Sequence, residues 1–397
     1  MKKKVKKSSP GIYTKAVHSG EERKKYADSL ITPIVQTSTF VFHNTKDIHD
    51  YTSKRKTRFE YGRYGNPTQR VVEMKLAKLE GAEDCQLFSS GMIAITTTLL
   101  ALLSNGQHII ITDDLYKKTL QLCRDELPRF GISCSIVRVG DYQELRQAIN
   151  DRTALIFTES PTNPYLYVLD LKRLTQISRK AGIMLLLDST LATPFNQRPL
   201  EFGADLVIHS ATKYLSGHND ILAGAVLGSK KLINEIRALH KTIGGMIEPQ
   251  CCYMLLRGLK TFPLRMEKHN RSAEQVATFL EGHAKVKRVY YPGLKTHPQH
   301  CLAREQMDGF GGVVSFEIKG GLRSANRFLN KLRLCYIAPS FGGVETLISH
   351  PASITYYDLS LKERLKIGIK DELIRLAVGI EDAEDIIADL EQALKTG

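Results

Sequence analysis

The stretch Ala154-Leu155-Ile156-Phe157-Thr158-Glu159-Ser160-Pro161-Thr162-Asn163-Pro164 leads through a segment from Leu171 to Ala181 into Ile183-Met184-Leu185-Leu186-Leu187-Asp188. It reads as strand, turn, helix and strand. Both strand runs are continuously apolar and do not alternate with polar residues, as expected of strands covered on both faces, and the crossover between them is helical. This is a βα unit of a parallel sheet, and in such sheets ligands gather at the carboxyl ends of the strands.

The unit repeats in both directions. Upstream, His108-Ile109-Ile110-Ile111-Thr112 is a strand ending at Asp113-Asp114-Leu115-Tyr116, with a helix through Leu127; Ser135 to Val139 is the next strand, with a helix from Tyr142 to Ile149. Downstream, Leu206-Val207-Ile208 runs into Ser210-Ala211-Thr212-Lys213-Tyr214. Tyr116, Asn163, Asp188 and Lys213 each follow an apolar run, so the sheet brings them to one edge. Before this region, Val71 to Leu79 reads as a helix stopped at Gly81, and Ser89-Ser90-Gly91-Met92 opens an apolar helix to Leu103. Residues 1 to about 60 show little periodicity and read as an arm lying over something else. Beyond Lys213 the pattern changes to helices from Ile233 to Ile243 and from Tyr253 to Glu281, the latter interrupted near Pro263. Strands at Val313 to Ile318 and Ile374 to Val378 then flank a helix from Ala325 to Lys331, and a final acidic helix follows. The expected organisation is an arm over 1–63 that contacts a neighbouring subunit, a large mostly parallel α/β domain over 64–258 and a smaller α+β domain over 259–397.

Lys213, alone among small hydroxyl residues on a strand-end loop, suits a covalent amine catalyst; the plain alternative is a solvated loop lysine. A pyridine-aldehyde cofactor bearing a phosphate needs an amine, a carboxylate for its ring nitrogen, a stacking group and phosphate donors. Lys213 supplies the amine, Asp188 the carboxylate and Tyr116 the stacking ring. Ser90, Gly91, Met92, Ser210 and Thr212 supply donors, the first three at a helix start where free N–H groups and the helix dipole favour an anion. Taken singly, Ser90 and Asp188 are equally readable as N-caps; together the set defines a site.

Composition narrows the function classes. The chain has 397 residues, 42% hydrophobic and 25% charged, enough for at least one large core. Its net charge of +14 is concentrated partly in Met1 to Lys7, where five lysines fall. No nucleic-acid-binding motif accompanies that charge, so a solvated tail and sites for anionic ligands are expected, with no nucleic-acid partner. The lysine run leads into Ser8-Ser9-Pro10-Gly11 and not into an apolar segment, and Met92 to Leu103 is too short to span a bilayer. A soluble cytoplasmic protein without a membrane partner is expected. Seven cysteines show no CxxC pair and no ligand-like spacing with histidine, so they are expected as reduced thiols, mostly buried, with no metal bound.

Tyr61-Gly62-Arg63, Ser90-Gly91-Met92, Glu159-Ser160-Pro161-Thr162-Asn163-Pro164, Ser210-Ala211-Thr212-Lys213 and Arg375-Leu376-Ala377-Val378-Gly379 give the chain a resemblance, from about residue 14 to the C-terminus. It resembles the cysteine and methionine metabolism family of pyridoxal-phosphate enzymes. The resemblance implies an aspartate-aminotransferase-like fold, pyridoxal 5'-phosphate as cofactor, and homotetramers built from dimers. It also implies that Tyr61 and Arg63 reach the neighbouring subunit's cofactor phosphate, that Arg375 pairs with a substrate α-carboxylate, and that Asn163 and Ser340 line the same site. Without it, Arg375 reads as a surface strand arginine.

Within the family, Ile337 to Gly343, Tyr356-Tyr357-Asp358-Leu359, Phe59 to Thr68 and Gly217-His218-Asn219-Asp220 look most like the plant-type cystathionine gamma-synthases. Pro339 stands before Ser340 where many gamma-lyases and bacterial synthases carry glutamate. Lys118 replaces the cysteine of methionine gamma-lyases. The implied reaction is γ-replacement on an O-activated homoserine by cysteine, with Lys213 shuttling protons and Tyr116 as acid or base. A cystathionine β- or γ-lyase, a methionine gamma-lyase or a specialised γ-substitution with another nucleophile are the alternatives. Lys117 and Lys118 either favour an anionic leaving group, such as phosphate, or are solvent-facing lysines at a helix start.

Overall fold

The computed structural model describes residues 10–396, so the lysine run of the first seven residues lies outside the described residues. Seven strands, β1 (Asp84–Phe88), β2 (His108–Thr112), β3 (Ser133–Val137), β4 (Thr153–Glu159), β5 (Met184–Asp188), β6 (Leu206–His209) and β7 (Gly224–Gly228), form one sheet in the order β1-β7-β6-β5-β4-β2-β3. Neighbours from β6 through β3 are parallel, whereas β7 runs against both β1 and β6.

The apolar runs are buried on both faces because successive side chains point to opposite sides. Ile109 and Ile111 pack with Ile95 and Leu99 of the Gly91–Leu102 helix and with Ile233 and Ile236 of the Lys230–Ile243 helix. Ile110 faces the opposite layer, with Leu145, Leu174 and Ile177 from the Tyr142–Ala148 and Leu171–Ala181 helices.

A second sheet comprises β8 (Val286–Tyr290), β9 (Val313–Ile318), β10 (Tyr336–Ile337), β11 (Leu347–Ser349) and β12 (Leu373–Ala377), in the order β10-β11-β12-β9-β8 and antiparallel except for β10-β11. Between the sheets run the helices Pro249–Lys260 and Phe262–Gly282, separated at Thr261 with Pro263 in the first turn of the second, where its missing N–H costs nothing. One hydrophobic cluster includes Leu76, Tyr214, Phe262, Val314 and Leu376, so both sheets share a core.

Several local expectations shift. β3 begins two residues earlier than expected and ends at Val137, because the Arg138 and Val139 amides leave the ladder to bond Glu144 and Asp113 side chains at 2.7 and 2.9 Å. The helix after Tyr116 is regular only over Lys117–Gln121, then widens to a π turn over Leu122–Glu126 and tightens before Phe130; Pro128 cannot donate to a regular ladder. The arm also needs correction at its start. The Ile12–His18 helix docks on its own chain, with Ala16 fully buried and Lys75 Nζ donating to the Ala16 and Val17 carbonyls at 2.8 and 2.9 Å. Farther along, Tyr26, Leu30 and Val41 remain 85, 89 and 74% exposed, which suits an unpartnered arm.

Gly224 permits a close approach that the site depends on. A Cβ there would lie 2.2 Å from the Ser90 carbonyl oxygen and 2.9 Å from the Ala94 Cβ. Gly224→Ala is therefore expected to lower unfolding stability by about 2–3 kcal/mol, measured by urea denaturation. Gly282→Ala, where nothing lies within 4 Å, is expected to leave stability unchanged or raise it by up to about 1 kcal/mol.

Candidate active site

At the carboxyl ends of β4, β5 and β6 the chain leaves a cavity of about 470 Å³, closed on its far side by residues of the second sheet's domain. Ser90, Gly91, Met92, Tyr116, Lys118, Asn163, Asp188, Ser210, Thr212, Lys213 and Arg375 all line it. Ser340 reaches the site by accepting a 2.7 Å hydrogen bond from Lys213 Nζ. Tyr61 and Arg63 do not line this cavity: the Arg63 guanidinium bonds the Lys241 carbonyl and lies 5.5 Å from the Tyr61 ring centre.

Lys213 is carried on the turn that follows β6. Thr212 closes this turn by donating its N–H to the Ala223 carbonyl at 3.1 Å while its Oγ1 accepts from the Ala223 N–H at 2.9 Å. Burial lowers the Lys213 amine to about 8, and the nearby Arg375 charge acts in the same direction. An amine so placed is available as base and nucleophile near neutral pH.

Asp188 ends β5, 8% exposed. Its Oδ1 accepts from the Thr190 N–H at 2.9 Å and the Thr190 hydroxyl at 2.6 Å, leaving the second oxygen for a cationic ring nitrogen. Burial raises its carboxyl, with the Thr190 bonds opposing. The pairing is one that a protonated pyridine would complete.

The anion end is built at the start of the Gly91–Leu102 helix. Ser90 is its N-cap, its Oγ accepting from the Ile93 N–H at 3.3 Å, and the first-turn amides have no partner within the helix. A Cβ on Gly91 would lie 3.1 Å from the Ser210 Cβ, so a larger residue would fill the cradle that Ser90, Gly91 and Ser210 make. These donors fit a phosphate.

Arg375 lies on β12, 7% exposed, with no carboxylate in ion-pair contact among the described residues. Its two terminal nitrogens donate to Asn163 Oδ1 at 3.3 Å and the Ser340 carbonyl at 3.0 Å, while Nε has no partner. Burial lowers the guanidinium to about 10, so it stays charged at neutral pH. A buried cation with an idle donor is prepared for an anion from outside.

Sequence reasoning missed part of the wall. Phe341, Tyr356 and Thr355 come from the second domain, and Glu159 and Thr190 from the strand ends. Thr190 was legible as Asp-x-Thr, a pattern in which a side chain bonds the backbone two residues on. The second-domain residues carry no local signal because only domain packing brings them here.

Comparison with known proteins agrees with this geometry. The profile of the Cys/Met metabolism PLP-dependent enzymes matches residues 13–395. Cystathionine gamma-synthase 1, chloroplastic, of Arabidopsis thaliana is 49% identical over 391 residues, covering 98% of this chain and 69% of that one. L-methionine gamma-lyase of Pseudomonas putida is 41% identical over 388 residues, covering 97 and 98%. The crystal structure of metB from Corynebacterium glutamicum superposes with a TM-score of 0.91 at 36% identity over 98% of each chain. The chain belongs to the Cys/Met metabolism family of pyridoxal-phosphate-dependent enzymes, and its cofactor is pyridoxal phosphate.

The depressed Lys213 amine sets a testable pH dependence. Without cofactor, Lys213 is expected to be half deprotonated near pH 8, protonated below and free above, instead of at the ordinary 10.5. Removing a neighbouring positive charge makes protonation easier, so Arg375→Ala is expected to raise this midpoint. Labelling of Lys213 by an amine-selective reagent across pH, read by mass spectrometry, measures both.

Proposed function

We propose that the enzyme performs γ-replacement, joining cysteine to an O-activated homoserine to form cystathionine. The observation that carries the choice is the unequal state of the two lysines after Tyr116. Lys117 Nζ is occupied by Asp358 and by the Thr355 carbonyl at 3.1 Å. Among the described residues Lys118, which lines the cavity, hydrogen-bonds the neutral Gln121 amide oxygen at 2.9 Å and makes no ion pair, feeling Asp358 only at longer range, so its charge is available to an anionic leaving group. Similarity to Arabidopsis cystathionine gamma-synthase supports the same reading.

Pyridoxal phosphate, when bound, supplies an electron sink for a carbon adjacent to the substrate amine. Arg375 binds the α-carboxylate in a two-nitrogen grip, and Asn163 and Ser340 hold that guanidinium in plane. Lys213, whose lowered midpoint makes the free amine accessible near neutral pH, takes the proton from Cα and moves a proton at Cβ. Asp188 keeps a positive charge at the ring nitrogen, and Tyr116 handles the proton of the incoming thiol. The Cγ–O bond breaks, the activating group departs as an anion beside Lys118, and the cysteine Sγ bonds to Cγ.

Tyr61 and Arg63 are proposed to complete the cofactor site of a neighbouring subunit in a homotetramer. Their position outside their own chain's cavity and the exposed apolar arm support this. Among the described residues no helix is long and apolar enough to cross a membrane. Seven unpaired cysteines support a reducing compartment, for which the cytoplasm is proposed.

Product analysis with cysteine and O-phospho-, O-succinyl- or O-acetylhomoserine is expected to give cystathionine; keto acid and ammonia from cystathionine alone, with no cystathionine from any donor, would establish a lyase. Lys118→Ala is expected to lower kcat/KM about 10-fold for the phosphorylated donor and to spare the acetylated one, as loss of a charge-assisted hydrogen bond requires. Lys213→Ala is expected to lower kcat by about 1,000-fold or more.

A further inference from the structure

Glu159 ends β4 opposite Asp188, its register partner on β5. The two residues are 5 and 8% exposed, and both line the cavity. Asp114, after β2, acts on the same carboxyl. Like charges on adjacent rungs of a buried sheet edge repel with little solvent screening. Only one of the strand-end pair is equipped to stay charged. Asp188 receives two hydrogen bonds from Thr190 and feels His209 from β6. Glu159 makes no ion pair among the described residues; its Oε2 accepts a single bond, from the Tyr116 backbone N–H at 3.2 Å.

We propose that Glu159 is a positioning residue, a neutral carboxylic acid that fixes Tyr116 through its N–H and leaves the negative charge of this edge to Asp188. The inference rests on the roles given above to Tyr116 and Asp188. Tyr116 precedes the short Lys117–Gln121 helix without a side-chain cap, and its residue is 47% exposed, so packing does not hold the ring. Its carbonyl accepts from Thr119 and Leu120 at 2.8 and 3.1 Å, and its N–H is held by Glu159. Glu159 thus fixes the end of the backbone from which the ring projects. A charged Glu159 would also hold the N–H, but it would oppose ionisation of Asp188 and weaken its pairing with a ring cation.

The groups facing Glu159 are consistent with a proton there. Burial, then Asp188, then Asp114 push its carboxyl well above the usual range. Asp114 is itself raised to about 7, chiefly by burial. Tyr356, from the second domain, is raised to about 12 by burial and by Glu159 and Asp114, with Arg375 opposing. Nothing in this set supplies Glu159 with a counter-charge.

Three measurements on holoenzyme test the proposal. The infrared difference between wild type and Glu159→Gln at neutral pH is expected to contain the carbonyl stretch of a protonated carboxylic acid; loss of carboxylate bands alone overturns it. Glu159→Gln, which keeps an acceptor without charge, is expected to retain kcat within about threefold and to leave the pH titration of the visible cofactor band unmoved. A shifted titration or a larger loss means that the charge was needed. Glu159→Leu is expected to lose about 100-fold in kcat as Tyr116 is displaced; wild-type kcat in a folded Glu159→Leu enzyme also overturns the proposal. If that variant does not fold, the infrared band and the glutamine variant decide. None of these readouts depends on which product forms, so a failed donor assay in wild type remains distinguishable.

Discussion

Arg375 imposes the constraint around which the site is arranged: a guanidinium buried to 7% exposure, held by two neutral oxygens and, among the described residues, in ion-pair contact with no carboxylate. Desolvating such a charge costs several kcal/mol unless an anion arrives, so the surroundings must keep it in place without neutralising it. β12 does this from the centre of its sheet, between β9 and β11. Ser315, its register partner on β9, donates to the Pro164 carbonyl at 2.6 Å, gripping the turn that carries Asn163. Two adjacent strands of one domain therefore hold the same turn of the other, and the Arg375–Asn163 bond joins a cluster that already fixes the domain interface. The charge also reaches Lys213, where it adds to burial in favouring the neutral amine.

A second buried guanidinium holds the loop on which that amine depends. Arg265 donates to the Tyr214, Leu215 and Gly258 carbonyls at 2.7, 3.4 and 2.9 Å, fastening the end of the Lys213 turn to the Phe262–Gly282 helix. The Tyr214 hydroxyl, fully buried, accepts from the Gly312 N–H at 3.2 Å. Three carbonyls and one buried phenol thereby gain partners, and Lys213 projects from a turn anchored at its end. Its freedom is thereby confined to the side chain.

How much of this was legible follows from where the information lies. The Ala154 to Asp188 stretch carries its fold locally, because continuous apolar runs and a helical crossover admit few other packings, and it places Asn163 and Asp188 at the right edge. β7 was not legible: Gly224-Ala225-Val226-Leu227-Gly228 is short, bounded by glycines, and runs against its neighbours, so no βα repeat announces it. Arg375 was legible as a site residue only by resemblance, since an arginine in a strand says nothing of whether a carboxylate awaits it. Glu159 was overlooked because its meaning depends on register. Only when β4 and β5 pair does it face Asp188, and sequence distance hides that rung.

Register also explains how the cavity separates its charges. Lys118 and Arg375 line it as cations and Lys213 as an amine that burial favours neutral, while the ends of β4 and β5 present the Glu159 and Asp188 carboxyls to the same space. Lys117 engages Asp358 and the Thr355 carbonyl, tying residues of the second domain that line the cavity to the helix after Tyr116. Two lysines adjacent in sequence are thus held differently, one in an ion pair with the second domain and the other hydrogen-bonded to Gln121 on the cavity wall.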